Sequence, residues 1–159
     1  MHFIFISFLF LQTLLVADEL KIKAVKFYAD EKAGLSVFTG DVNIVKGDDE
    51  LNASQVTVHI DTNKKPTKFV AQGDVAFRLK TLDGAQYEGR AQKAEYLPNE
   101  KIYNFYTDVH LKQLGDTKEI QGDEVILKVL ENKAYAKGQK KKPVIMIFDI
   151  DEKKEKEVQ

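Results

Sequence analysis

The chain contains no cysteine, which excludes disulfide staples, thiol chemistry, Cys-based zinc sites and a lipid-anchored cysteine, and leaves stability to burial alone. It has no positive surplus either. With 24 Lys and Arg against 25 Asp and Glu the formal charge is −1, so no overall field draws in phosphate backbones and a nucleic-acid partner is disfavoured. Helical periodicity is missing throughout Leu20 to Ile150. So is catalytic machinery: there is no G-x-S-x-G elbow, no Gly-rich phosphate loop ahead of a helix and no H-E-x-x-H. His59 and His110 occupy polar positions of alternating segments and read as solvent-facing rather than as a metal pair. Asp48-Asp49-Glu50 lacks the spaced oxygens of a calcium loop, and Lys140-Lys141-Lys142 reads as a solvated hairpin tip that discourages stray strand pairing. Neither an enzyme, a metal site nor a cofactor is therefore expected.

What is present is a period of two. Val42/Ile44, Val56/Val58/Ile60, Val75/Phe77/Leu79, Phe105/Val109/Leu111 and Val125/Leu127/Val129 each put apolar side chains on one face of a strand, with polar residues between them. With 43% hydrophobic and 31% charged residues in 159, the chain suits a single globular domain rather than a disordered segment.

One phrase organises the rest. Phe38 to Ile60 (FTGDVNIVKGDDELNASQVTVHI) holds a turn opening on Gly40-Asp41, an alternating strand, a polar loop and a second alternating strand. It returns at Gln72 to Leu79 (QGDVAFRL), loosely at Thr107 to Leu111 (TDVHL), and at Gln121 to Leu127 (QGDEVIL), while Ala53-Ser54-Gln55-Val56 is echoed by Ala91-Gln92-Lys93-Ala94. The spacing is 33 residues from Gly40 to Gly73 and 34 from Gly73 to Thr107, suiting a strand pair with its turns. Further turn chemistry at Gly47-Asp48-Asp49, Asn63 to Pro66, Asp83-Gly84, Pro98-Asn99 and Gly115-Asp116 separates strands of about 6 to 12 residues, which predicts an all-β sandwich or an open jelly roll. The last strand is expected over Val144 to Ile150, with a charged, frayed tail at residues 151–159.

Residues 1–17 (MHFIFISFLFLQTLLVA) carry no charge, and their apolar run from Phe3 to Leu11 is shorter than the ~20 residues that span a bilayer. This predicts a cleaved export signal, with an uncleaved anchor as the alternative, followed by one domain over residues 18–150.

The order of the phrases, TGDVNIVKGDDELNASQVTVHI, KPTKFVA, YEGRAQKAEY, TDVHLKQ and IQGDEVILKV, resembles the LptA (OstA-like) family of periplasmic lipopolysaccharide-transport proteins over about residues 20 to 150. Thr107 stands where the third repeat would carry its glycine. The resemblance implies an open, twisted antiparallel β-jelly roll with an apolar interior groove that shields the acyl chains of lipopolysaccharide. It further implies an LptC-like inner-membrane donor, an LptD-like outer-membrane acceptor, and head-to-tail oligomers bridging the periplasm. By register it places Phe69 in the groove and Leu20 and Ile22 on an N-terminal strand near its mouth. With the alternating positions Val42, Ile44, Val56, Val58, Ile60, Val75, Phe77, Val109 and Leu111, these form the expected groove lining. Val25 and Phe27 at one edge, and Val144, Met146 and Phe148 at the other, are the expected oligomer contacts by strand addition. Alternation alone leaves a closed core or a non-lipid structural scaffold open. A membrane-anchored LptC-like relative is the other alternative, differing mainly in whether residues 1–17 are retained.

Overall fold

The computed structural model describes residues 19–150; the expected export signal and the charged tail lie outside the described residues. Period-two patterning yields ten antiparallel strands: β1 (Leu20–Lys23), β2 (Lys26–Asp30), β3 (Leu35–Lys46), β4 (Asp49–Ile60), β5 (Pro66–Lys80), β6 (Gln86–Leu97), β7 (Ile102–Gln113), β8 (Glu119–Lys128), β9 (Lys133–Lys137) and β10 (Ile145–Ile147). A single 3-10 turn over Val129–Glu131 follows β8. Val129, expected at the end of that strand, therefore begins a turn instead.

The six long strands form a simple meander, β3 through β8, each hydrogen-bonded to the next. At one edge β1 and β2 both pair with β3, taking Asn43–Lys46 and Leu35–Thr39 respectively. At the other, β10 and β9 pair with β8 over Glu119–Gln121 and Glu124–Lys128. Among the described residues neither edge pairs with the other, so the sheet is open, as the sequence predicts.

The reason each edge is split is a line of kinks through the middle of the sheet. Gly40-Asp41, Gly73-Asp74 and Thr107-Asp108 all adopt positive φ, and the ladder register shifts at each. The repeated Gly-Asp phrase is thus not the turn between strands that its chemistry suggests. It is a bulge inside a strand of 12 to 15 residues, and bulges bend the strand and add twist. The true hairpin turns fall at the other punctuation points, such as Thr81 to Ala85, where the Thr81 N–H donates to the Ala85 carbonyl at 2.8 Å.

Each kink takes one more residue on the odd-numbered strand than on its neighbours. Ala71 and Val75 both face the interior four positions apart, whereas Ala53 and Val56, or Ala91 and Ala94, do so three apart. The kinks divide the sheet into two layers of eight strands each, one bounded by β1 and β10 and the other by β2 and β9. Their inner faces form one apolar cluster that joins Val42, Phe77, Leu79 and Leu111 of the first layer to Val56, Phe69, Phe105 and Val125 of the second. The Phe77 and Phe105 rings stack across the layers with centroids 4.0 Å apart. Beside the kinks Ala53, Ala71, Ala91 and Ala94 are all buried, together with Val42, Val75 and Val109. Gly89 makes room in a different way: a Cβ on it would lie 2.7 Å from the Phe77 ring, which fills that space instead.

Candidate functional site

The interior is organised as rows of directly opposed side chains, the units by which a sheet is stabilised. In the first layer Ile22, Ile44, Leu51, Phe77, Gly89, Leu111, Ile120 and Met146 are successive cross-strand partners from β1 to β10. In the second, Phe27, Phe38, Val56, Ala71, Ala94, Phe105, Val125 and Ala136 run without a break from β2 to β9. No polar or charged residue interrupts either row. At about 4.8 Å per strand, seven spacings make each row roughly 34 Å long.

All twelve residues expected in the groove face this interior. Val42, Val56, Val58, Phe69, Val75, Phe77, Val109 and Leu111 are buried, and Ile22, Ile44 and Ile60 pack against them. Leu20 is 39% exposed and lines a cavity at the edge. Leu79, Phe105 and Val125 also line the interior and are legible by alternation, whereas the four alanines and the tyrosines are not.

A third row, Val58, Phe69, Tyr96, Tyr103 and Leu127, lies farther from the kinks in the second layer. Tyr96 and Tyr103 stack with centroids 4.4 Å apart, and Phe69 continues the contact at 6.1 Å. The Tyr103 hydroxyl donates to Asp49 Oδ2 at 3.2 Å, across the layers. Burial, with the Asp49 charge next, raises the Tyr103 pKa well above the usual phenol range, and burial also raises that of Tyr96. Both phenols are consequently neutral across the physiological range.

Over most of their area the inner faces close on each other. What remains open is an apolar cavity of about 70 Å³ beside β1, lined by Leu20, Ile44, Leu51, Phe69, Leu79 and the two stacked tyrosines, among others. A second of about 160 Å³ lies beside β10, against Tyr87, Leu111, Ile120, Met146 and Phe148. The two cavities adjoin opposite ends of the Ile22 to Met146 row.

The expected oligomer residues lie at the two edges. Val25, Phe27, Met146 and Phe148 are more than half exposed, while Val144 is half-buried and sits just before β10. The last strand is limited to Ile145–Ile147, shorter than the apolar run Val144 to Ile150 suggests, because only those residues find partners on β8. Strand β9 (KAYAK) has no alternation to signal it and is exposed along its whole length.

Among the described residues no group of three or more His, Cys, Asp or Glu is placed to hold a metal. His59 and His110 lie in different layers, and His110 Nε2 pairs with Glu119 at 3.2 Å.

Comparison with known proteins agrees with this architecture. No curated protein matches the chain. Among solved structures, LptH of Pseudomonas aeruginosa, described as the LptA homologous periplasmic component of the conserved lipopolysaccharide transport device, superposes with a TM-score of 0.73 at 16% identity, covering 84% of this chain and 96% of LptH. At that identity the likeness establishes the fold. Residues 21–133 match the family described as LptA/(LptD N-terminal domain) LPS transport protein, a span that takes in β1 through the start of β9. The chain belongs to the LptA/(LptD N-terminal domain) family of LPS transport proteins.

Proposed function

We propose that this protein binds lipopolysaccharide in the periplasm, holds its acyl chains between the two β layers, and joins head to tail into a bridge from an LptC-like inner-membrane donor to an LptD-like outer-membrane acceptor. The observation that carries this reading is the pair of unbroken apolar rows running from edge to edge. A core built only for stability needs no apolar row that ends at exposed Met146 and Phe27.

Energetics favour a shielded path. At roughly 0.8 kcal/mol per buried CH₂, an acyl chain of about a dozen carbons gains on the order of 10 kcal/mol on leaving water. The cavity beside β1, about 70 Å³, has the room of only about two waters, so lipid must part the layers to enter. Near-equivalent aliphatic positions along the rows then favour no stopping point, and the driving force comes from elsewhere in the pathway.

Head-to-tail joining also suits the strand directions. β1 and β2 run antiparallel to β3, and β9 and β10 antiparallel to β8. With β3 and β8 themselves oppositely directed, β10 placed beside the β1 of a second copy continues the antiparallel alternation. Met146 then meets Ile22, and Ala136 meets Phe27, so both rows cross the junction. Such a heterologous contact does not close and grows as a rod. Residues 1–17 serve in this reading as the export signal, residues 18–150 as the transport domain and residues 151–159 as a charged tail.

The test is binding of lipopolysaccharide to the purified Asp18 to Gln159 chain, with displacement of a fluorescent acyl probe and Phe69→Glu as the control. Saturable displacement that Phe69→Glu abolishes, with circular dichroism unchanged, is expected. A folded protein that binds neither lipid would instead be a structural scaffold working through its edges.

A further inference from the structure

Two contacts between the layers join residues that line the cavity beside β1. From the first layer come Lys46 and Asp49, on either side of the β3–β4 turn; from the second come Tyr96 and Tyr103, facing partners on β6 and β7. The Tyr103 hydroxyl donates to Asp49 Oδ2 at 3.2 Å, and the Lys46 ammonium lies 5.9 Å from the centre of the Tyr96 ring. Asp49 is held in place for this role, because its other carboxylate oxygen accepts the backbone N–H of Lys80 at 2.9 Å. The apolar part of the lining is Leu20, Ile44, Leu51, Phe69 and Leu79.

We propose that these two contacts are a latch, and that it is opened by an acyl chain carrying an anionic head group. This rests on the reading of the interior as a lipid site and adds how that site is gated. An arriving chain replaces the tyrosine rings as the apolar partner of Phe69 and Leu79, which breaks the Tyr103–Asp49 hydrogen bond. Lys46 is the one cationic residue lining this cavity among the described residues, beside the carboxylates of Asp49 and Glu50, the latter accepting from the Asn43 amide at 2.9 Å. When Tyr96 moves aside, its ammonium exchanges a ring face for the head group, and an anion holds a cation more strongly than a quadrupole does. A neutral amphiphile gains the same burial and lacks that exchange. Both contacts are individually weak, as a gate must be: a hydrogen bond or an exposed cation–π contact is lost at a modest cost.

The experiment measures uptake rates of a fluorescent fatty acid and of its neutral methyl ester by stopped flow, using the full exported chain. Tyr103→Phe and Asp49→Ala are expected to take up both probes about fivefold faster than the parent, the factor corresponding to one ordinary hydrogen bond. Asp49→Asn, whose amide oxygen can keep the Lys80 N–H while its NH2 donates to the Tyr103 hydroxyl oxygen, retains a link between the layers and stays near the parental rate. Lys46→Gln removes the parent's preference for the acid over the ester. Parental uptake rates in both Tyr103→Phe and Asp49→Ala overturn the latch, as does a lowered unfolding temperature without faster uptake, which marks a purely structural bond. A preference that survives Lys46→Gln overturns the head-group role. If the folded parent takes up neither probe and does not bind lipopolysaccharide, the lipid-site reading itself fails, a result separate from any of these.

Discussion

Replacing Thr107 with glycine should make the protein more stable. Thr107 and Asp108 form the third kink with φ of 64° and 51°, the same left-handed pair that Gly73 and Asp74 form at 81° and 44°. A β-branched residue in that region costs about 1–3 kcal/mol. The Thr107 side chain is exposed and, among the described residues, makes no hydrogen bond that offsets the strain. Glycine relieves it but loses about 0.4–1 kcal/mol through the greater freedom of the unfolded chain. The net gain is roughly 1 kcal/mol, or about 2–4 °C in unfolding temperature for a chain of this size. Urea titration and calorimetry of Thr107→Gly measure it, with Gly73→Thr as the reverse test. There the new Cβ would stand 2.7 Å from Ser54 Oγ and 2.8 Å from Ser54 Cβ, so strain and collision add. A Thr107→Gly protein equal to or weaker than the parent would refute the strain argument.

Three other perturbations probe different parts of the molecule. Phe105→Ala removes a ring that is fully buried and stacked on Phe77, and should cost about 3–5 kcal/mol by urea unfolding. Alkaline pH should destabilise the fold: unfolded phenols ionise near pH 10 whereas buried Tyr103 and Tyr96 stay protonated higher. The stability these groups contribute is full below about pH 10 and lost as pH rises towards their folded pKa values, and Tyr103→Phe should flatten that decline in a pH series. Met146→Pro, in the middle of β10, should leave the meander folded and abolish concentration-dependent assembly; light scattering like that of the parent would count against edge-to-edge joining.

The long strands and their dry faces are readable from alternation alone, because one buried face forces a strict period of two on Val56/Val58/Ile60 or Val75/Phe77/Leu79. The Gly-Asp phrases are equally visible in the sequence, yet their meaning is not. Positive φ serves a hairpin turn and a mid-strand bulge alike, and only pairing on both sides distinguishes them. Ala53, Ala71, Ala91 and Ala94 are hard to recognise as core because a methyl carries little hydropathy signal, yet all four are buried. Tyr96 and Tyr103 hide among charged and amide neighbours, and their importance comes from cross-strand stacking and a partner, Asp49, on the other layer. Strand β9 is exposed along its whole length, so burial imposes no strong apolar period on KAYAK.

The kinks give the sheet something akin to a reading frame. The inward-facing Ala71 and Val75 stand four positions apart across Gly73-Asp74, and Ala91 and Ala94 on the neighbouring strand three apart. Loss of Asp74 alone would shift everything after it by one position, turning Arg78 and Lys80 inward and Phe77 and Leu79 out to water. The same single loss in the exposed turn at Asp83-Gly84 changes only a loop. Tolerance to insertion and deletion is therefore quantised along this chain: free at the hairpin tips, and forbidden in single steps at the points where the sheet bends.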